Sequence, residues 1–235
     1  MKRVSLHSMI LASTSLGLLI SACASGPAQA EDQVALFDGE SLDGWRVTVE
    51  NPDSFRVEDG AIIAEGPRAH LFYDGPLGTT FTNFELNLKV KTEPGANSGV
   101  YFHTAYQAED WPQIGLEAQV NASQHDFRKT GSIYAIADIR VYADDAEVPI
   151  LGRDQNTYIT LPAAPHEDSD WFDYSIRVEG DTVSTRINGE LMVRWQQPDD
   201  WSNENQRLSS GTFALQAHDP DSKVSFKDIR VEILD

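Results

Sequence analysis

Between residues 84 and 90, Phe84, Leu86, Leu88 and Val90 alternate with Glu85, Asn87 and Lys89. Successive strand side chains point to opposite faces, so this alternation predicts a strand with one buried face. Residues 182–195 repeat the pattern with Val183, Thr185 and Ile187, then Asn188-Gly189, then Leu191 and Val193. Asn-Gly accepts the positive φ angles of a tight hairpin turn, so two strands joined at that pair are expected. Phe55, Val57, Asp59-Gly60 and Ile62 predict another hairpin. Near the end, Val224 and Phe226 give way to Ile229, Val231 and Ile233, a change of phase at Lys227-Asp228 that predicts a β-bulge.

Beyond the first residues no long stretch carries the helical period. Short strands spaced by about ten residues predict an all-β domain, a sandwich or barrel, over residues 33–235. Residues 138–166, with Asp144, Asp145, Glu147, Pro149, Pro162 and Pro165, are the least regular. They are expected to form long loops at the rim of a cleft.

The beginning of the chain has a different character. Lys2 and Arg3 precede a mostly apolar run over residues 9–20, too short to span a bilayer, and Ile20-Ser21-Ala22-Cys23 follows. This resembles a lipoprotein leader. A signal peptide over residues 1–22 and a lipidated Cys23 opening a flexible tether over residues 23–32 are expected. Ala24 after the cysteine is similar to the outer-membrane sorting pattern. The expected location is therefore the bacterial envelope, lipid-anchored, facing the periplasm or the cell surface. Cys23 is the single cysteine, so a disulfide within the chain, thiol catalysis and a thiolate metal site are all excluded.

The formal charge is −19, and loss of Lys2 and Arg3 with the leader would take it to −21. Such a surface repels phosphate backbones, which argues against nucleic acid as a partner. It also leaves the lipid anchor as the expected membrane contact.

Period 2 assigns faces to the polar residues. With Val100 and Phe102 turned inward, Tyr101 and His103 face the other way. Leu116, Ala118 and Val120 turn inward and leave Glu117 and Gln119 outward. Gln216 and His218 lie opposite Leu215 and Ala217, and Ser132 and Tyr134 opposite Ile133 and Ala135. The expected non-core face thus concentrates His, Gln, Tyr and Glu, residue types suited to sugars. Trp111, beside Pro112 just before the Glu117 strand, is the candidate for stacking on a sugar ring.

Several segments together resemble one family. They are Leu36-Phe37-Asp38-Gly39 with Ser41-Leu42-Asp43-Gly44-Trp45, and Phe84-Glu85-Leu86 with the run from Pro94 through Asn97-Ser98-Gly99 to Phe102. Gly115-Leu116-Glu117-Ala118-Gln119-Val120, Thr130-Gly131-Ser132-Ile133-Tyr134, Asn188-Gly189 and Leu215-Gln216-Ala217-His218 follow in order. The ordered set is similar to the 3-keto-disaccharide hydrolase domain family, over about residues 34–234. The resemblance implies an antiparallel two-sheet jelly-roll sandwich of the concanavalin A-like type, with the outward face of one sheet holding a carbohydrate substrate. It implies Glu117, His103 and His218 as catalytic groups, and Gln119, Tyr101, Tyr134, Gln216, Trp111 and Asn97 as substrate-binding groups. Where the family's strand usually ends in Arg, this chain has His103.

The chemistry the resemblance implies suits this residue set. Retaining jelly-roll glucanases use paired carboxylates about 5 Å apart, whereas here Glu117 is followed by Gln119 and Ala122. A ketone at C3 of a sugar acidifies the C2 proton, so one base can start an elimination that expels the C1 substituent, after which water adds back. That requires one base, a donor for the enolate oxygen and an acid for the leaving group. Either Glu117 or His103 is expected as the base, with the other groups as donors. No cofactor is required, although a divalent metal held by His and Glu in the cleft fits the same residues. The alternative is a non-catalytic carbohydrate-binding surface module, which convergence of His103, Glu117 and His218 in one pocket would disfavour.

Overall fold

The computed structural model describes residues 33–141 and 157–235. The expected leader, Cys23, the whole tether over residues 23–32 and the middle of the 138–166 stretch lie outside the described residues. In chain order the described strands are β1 (Val34–Ala35), β2 (Trp45–Val47), β3 (Phe55–Glu58), β4 (Ala61–Glu65), β5 (Ala69–Tyr73), β6 (Phe84–Thr92), β7 (Asn97–Thr104) and β8 (Leu116–Asn121). Then come β9 (Ala137–Val141), β10 (Thr157–Leu161), β11 (Phe172–Glu179), β12 (Thr182–Ile187), β13 (Glu190–Gln196), β14 (Thr212–Ala217) and β15 (Lys223–Ile233).

Two antiparallel sheets face each other. One has the order β13-β12-β11-β6-β15-β4-β3, with β1 also paired to β15; the other has the order β2-β5-β14-β7-β8. The antiparallel sandwich is therefore as the alternation predicts. Phe84, Leu86, Leu88 and Val90 are buried while the residues between them are half-exposed. Across the core stand Leu71, Val100, Phe102, Leu116, Ala118, Phe213 and Leu215 of the five-stranded sheet. The Phe84 ring meets Phe102 and Phe213 edge-on, with centroids 6.1 and 4.8 Å away. Each such buried aromatic contributes roughly 1.5–3 kcal/mol of transfer free energy.

Both predicted hairpins are present. Asp59 and Gly60 (φ 50° and 76°) join β3 to β4, and Asn188 and Gly189 (φ 51° and 83°) join β12 to β13. Two successive positive φ angles give the turn whose twist matches the strands it joins. The β15 register shifts between Lys227 and Arg230, with Asp228 at φ 52°, where the phase of the sequence changes.

The 138–166 expectation needs correction. Residues from both ends of that stretch form β9 and β10, which pair in parallel. Polar Asp138 and Arg140 disguise the first of these in the sequence. Both are buried, and Asp138 takes ion pairs of 3.3 Å from Arg128 and from Arg140. Parallel strands joined by a long connection leave no local turn signal to read.

Candidate active site

Four neighbouring strands of the five-stranded sheet build the site on the face turned away from the core. Register sets Tyr101 opposite Glu117 and Gly99 opposite Gln119 across β7 and β8, and His70 opposite Gln216 across β5 and β14. Asn97, at the start of β7, and His218, just after β14, extend the same face. The alternation that buries Leu116, Ala118 and Val120 gives these polar groups a common side. A cavity of about 240 Å³ lies on them, lined by Asn97, Tyr101, Trp111, Glu117, Gln119, Asp126, Tyr134, Gln216 and His218 among others.

Glu117 lies half-buried at the centre of this arrangement. Its Oε2 accepts a hydrogen bond of 3.0 Å from the Tyr101 hydroxyl, and its Oε1 one of 3.2 Å from Gln216 Nε2. Burial pushes its carboxyl up to about 7, against those two hydrogen bonds, which pull it down. A carboxyl titrating there is matched to proton transfer near neutral pH. Tyr101 is held as a neutral phenol, its own ionisation raised by burial and by the adjacent carboxylate.

Gly99 makes this placement sterically feasible. A Cβ built on Gly99 would come within 2.8 Å of Glu117 Cδ and closer still to Oε1. The carboxylate therefore lies directly over a backbone that carries no side chain.

His218 forms the second reactive group. Its Nδ1 lies 2.7 Å from the Asp219 carboxylate, and its Nε2 lies 3.3 Å from Asn97 Nδ2. Gln119 Nε2 donates to Asn97 Oδ1 at 2.6 Å, which fixes Asn97 from behind. Asp219 is desolvated, which opposes its ionisation, yet hydrogen bonds from His218, Ser222 and the Asp221 amide hold it below the usual carboxylate range. A carboxylate on Nδ1 sets the tautomer with its proton there, so Nε2 is the acceptor, turned toward Asn97 and the cavity.

Trp111 stands over this floor. Its ring is tilted above His218, with centroids 5.2 Å apart, and meets His70 edge-on at 5.7 Å. The loop that carries it is fastened from outside. Arg68 holds Asp110 at 2.6 Å and Glu50 at 3.1 Å, while Gln107 donates to the Trp111 carbonyl at 2.8 Å.

His103 does not join the others. Its φ is 53°, and the β7–β14 register shifts there, so that Thr212 pairs with Thr104 but Ala214 with Tyr101. Two β7 residues oppose one on β14, a bulge that breaks the alternation on which the outward assignment rested. The ring is buried against Phe84 and Phe102. Its Nδ1 accepts from the Ser209 amide at 3.0 Å, and its Nε2 lies 2.9 Å from the Thr82 carbonyl. Both nitrogens are thus used by the fold. Ser132 likewise turns away: residues 131–134 follow the edge of β8 through turns, and the Ser132 hydroxyl donates to the Lys129 carbonyl. Tyr134 from the same segment does reach the cavity.

Several site residues escape a reading of the sequence. Asp219 is signalled only by its adjacency to His218. His70 lies in β5, a strand buried on both faces, where alternation carries no information. Burial holds its imidazole neutral, lowered to about 3, and neither ring nitrogen has a hydrogen-bond partner. Asp126 also reaches the cavity, its carboxylate taken by the Arg128 amide at 2.8 Å and the Arg128 guanidinium at 3.7 Å. Among the described residues, no group of three or more His, Cys, Asp or Glu could hold a metal ion. A further hollow of about 380 Å³, on the outer face of the larger sheet, is lined by Glu85, Lys89, Asp173 and Arg186 and holds none of these groups.

A family model described as the 3-keto-alpha-glucoside-1,2-lyase-like domain matches residues 32–232. The chain belongs to this family. The domain is also similar to a 3-keto-disaccharide hydrolase of Bacteroides thetaiotaomicron, 26% identical over 89% of this chain and 81% of that protein. Among solved structures, a glycosyl hydrolase candidate from Parabacteroides distasonis superposes with a TM-score of 0.63 at 20% identity, covering 88% of this chain and 95% of that one. A family GH16 endo-beta-1,3(4)-glucanase, SCLam, reaches a TM-score of 0.51 at 12% identity, covering 87% of this chain and 92% of its own. At these identities the two structures show the jelly-roll fold of the lyase-like domain and not its substrate.

Proposed function

We propose that this protein cleaves the glycosidic bond of 3-keto-glycosides, 3-keto-disaccharides among them, by elimination followed by hydration. The observation that carries this reading is one cavity holding both a half-buried Glu117 tuned to about 7 and an Asp219-backed His218. Glu117 removes the C2 proton, and the electrons pass to the C3 carbonyl oxygen as an enolate. The Gln119 and Gln216 side chains, whose amide groups line the floor, orient the ring. The enolate then collapses: the C3 carbonyl reforms, a double bond forms between C1 and C2, and the C1–O bond breaks. His218, protonated at Nε2 in exchange for its Asn97 contact and with Asp219 behind it, gives its proton to the leaving oxygen. Water then adds at C1. His218 takes the water's proton, and Glu117, its proton exchanged with solvent once the leaving group has gone, protonates C2, giving the free 3-keto-sugar and restoring both groups.

Two facts support this reading. The family's description names a lyase, the B. thetaiotaomicron relative is named a hydrolase, and the two names fit the two halves of this sequence of steps. Glu117 lacks a free carboxylate partner for direct displacement, since Asp126 is engaged by Arg128. No cofactor enters any step. Lipid anchoring at Cys23 belongs to the same proposal, as it would set the domain in the envelope among exported sugars.

The test is incubation of the protein with 3-keto-trehalose and, separately, with trehalose. Free 3-keto-glucose from the first and no product from the second is the expected result. Cleavage of trehalose itself, lost on Asp126→Asn, would instead make this a conventional two-carboxylate glycosidase. Binding without cleavage of either would make it a carbohydrate-binding module.

A further inference from the structure

A second cavity, of about 410 Å³, adjoins the first on the same face of the five-stranded sheet. It lies further along the same strands. Thr104 pairs with Thr212, three residues on from Tyr101, or about 10 Å at strand rise. Phe72, Tyr101 and Ala214, with Tyr106 packed on them, form the low ridge between the two cavities. One loop walls both: Trp111, Pro112 and Gly115 line the Glu117 cavity, and Ala105, Tyr106 and Ile114 line the second.

Its chemistry is that of a sugar site. The Arg46 guanidinium is stacked 3.5 Å from the centre of the Tyr106 ring, and Phe72 meets that ring edge-on at 5.4 Å. This gives a stiff wall with an apolar body and N–H donors at its border. Ile114, 51% exposed, adds an apolar contact, and Thr79, Thr80, Ser210 and Asp74 supply hydroxyl and carboxylate groups. Thr104 is buried and its hydroxyl has no hydrogen-bond partner. A buried hydroxyl left unpaired is costly, and such groups are normally satisfied by protein, water or ligand. The far wall is built by close approach. A Cβ on Gly211 would fall 2.6 Å from the His103 carbonyl carbon, so only glycine lets the 209–211 segment lie against the β7 bulge. The bulge that removes His103 from the catalytic cavity thus shapes this one.

The Glu117 cavity, at about 240 Å³, is smaller than the 300–1,000 Å³ usual for a ligand pocket, whereas the second lies within that range. A single ring fits the first. We infer that the Tyr106–Arg46 cavity is a second carbohydrate subsite, holding a neutral sugar unit of the substrate beyond the ring that reacts at Glu117. This rests on the proposed reading of the Glu117 site and makes the enzyme prefer longer 3-keto-glycosides over short ones. Asp74 at the rim and the net charge of −19 disfavour an anionic ligand there.

The experiment compares KM for methyl 3-keto-α-glucoside and for a 3-keto-maltotrioside, using the full chain and two variants, Tyr106→Ala and Ile114→Ser. Ile114 is exposed, so its variant folds even if Tyr106→Ala does not. Loss of one such contact is expected to raise the ratio of the long to the short KM by about tenfold. An unchanged ratio in both variants would overturn the subsite. A parent protein that cleaves neither compound refutes the catalytic reading, and titration calorimetry with maltotriose then decides the subsite by itself. Binding weakened about tenfold by Ile114→Ser upholds it; no binding, or binding indifferent to both variants, overturns it.

Discussion

Gly99 lies beneath the Glu117 carboxylate so closely that a Cβ there would stand 2.8 Å from Glu117 Cδ. Carbon atoms make favourable contact at about 3.5–4.0 Å, so Gly99→Ala must displace the carboxyl from Tyr101 and Gln216. The Gly99 φ is not in the left-handed region, so the backbone itself accepts alanine. Turnover is expected to fall at least tenfold while the thermal midpoint moves by only a few degrees. Gly99→Ala with parental kcat/KM would show that the Glu117 position is immaterial to the chemistry.

Glu117 also gives a signature in stability. Its carboxyl is raised from 4.5 to about 7 in the folded protein, chiefly by burial. The native state thus holds this proton more tightly than the unfolded state does. Its contribution to stability is fully present below pH 4.5 and is lost as pH rises through about 7. Glu117→Gln keeps the carboxyl's shape and removes the titration. The melting temperature of the variant, compared with the parent between pH 5 and pH 8, is expected to gain on it steadily as pH rises. A constant difference across that range would contradict the buried, raised carboxyl.

His103 is expected to matter for the fold and not for catalysis. His103→Ala removes the acceptor for the Ser209 amide and the contact with the Thr82 carbonyl, and it places a Cβ residue other than Asn or His at φ 53°. Leaving buried backbone groups unpaired costs about 1–3 kcal/mol each. At roughly 2–4 °C per kcal/mol for a domain of this size, the melting temperature should drop by several degrees. A variant with parental stability and abolished turnover would return His103 to the catalytic set.

Cys23 is expected to carry a diacylglyceryl group in the cell, as the Ile20-Ser21-Ala22-Cys23 run suggests. Intact mass of the membrane-extracted protein should show the adduct on a chain beginning at residue 23. A soluble mature protein beginning near Glu31 would contradict it.

Much of this arrangement is legible along the chain, for identifiable reasons. The hairpins at Asp59-Gly60 and Asn188-Gly189 combine local turn chemistry with local pairing, and neither depends on distant contacts. The Glu117 and Gln119 face follows from Leu116, Ala118 and Val120 because β8 keeps strict alternation. His103 fails by the same logic. One extra residue in β7 reverses the face, and the partner that shows it, β14, is over a hundred residues away. His70 is hidden because β5 is buried on both sides, and β9 because its charged residues satisfy one another in the interior.

The central claim, that Glu117 draws the C2 proton of a 3-keto-glycoside, is tested most directly by isotope loss. A 3-keto-glycoside carrying deuterium at C2 is turned over in ordinary water, and the released 3-keto-sugar is examined before uncatalysed exchange intervenes. The parent protein is expected to release product that has lost deuterium to solvent. Glu117→Gln is expected to slow cleavage and washout together by roughly 10²–10⁴-fold. Product that keeps all its C2 deuterium, or a Glu117→Gln variant that cleaves at the parental rate, would contradict the account.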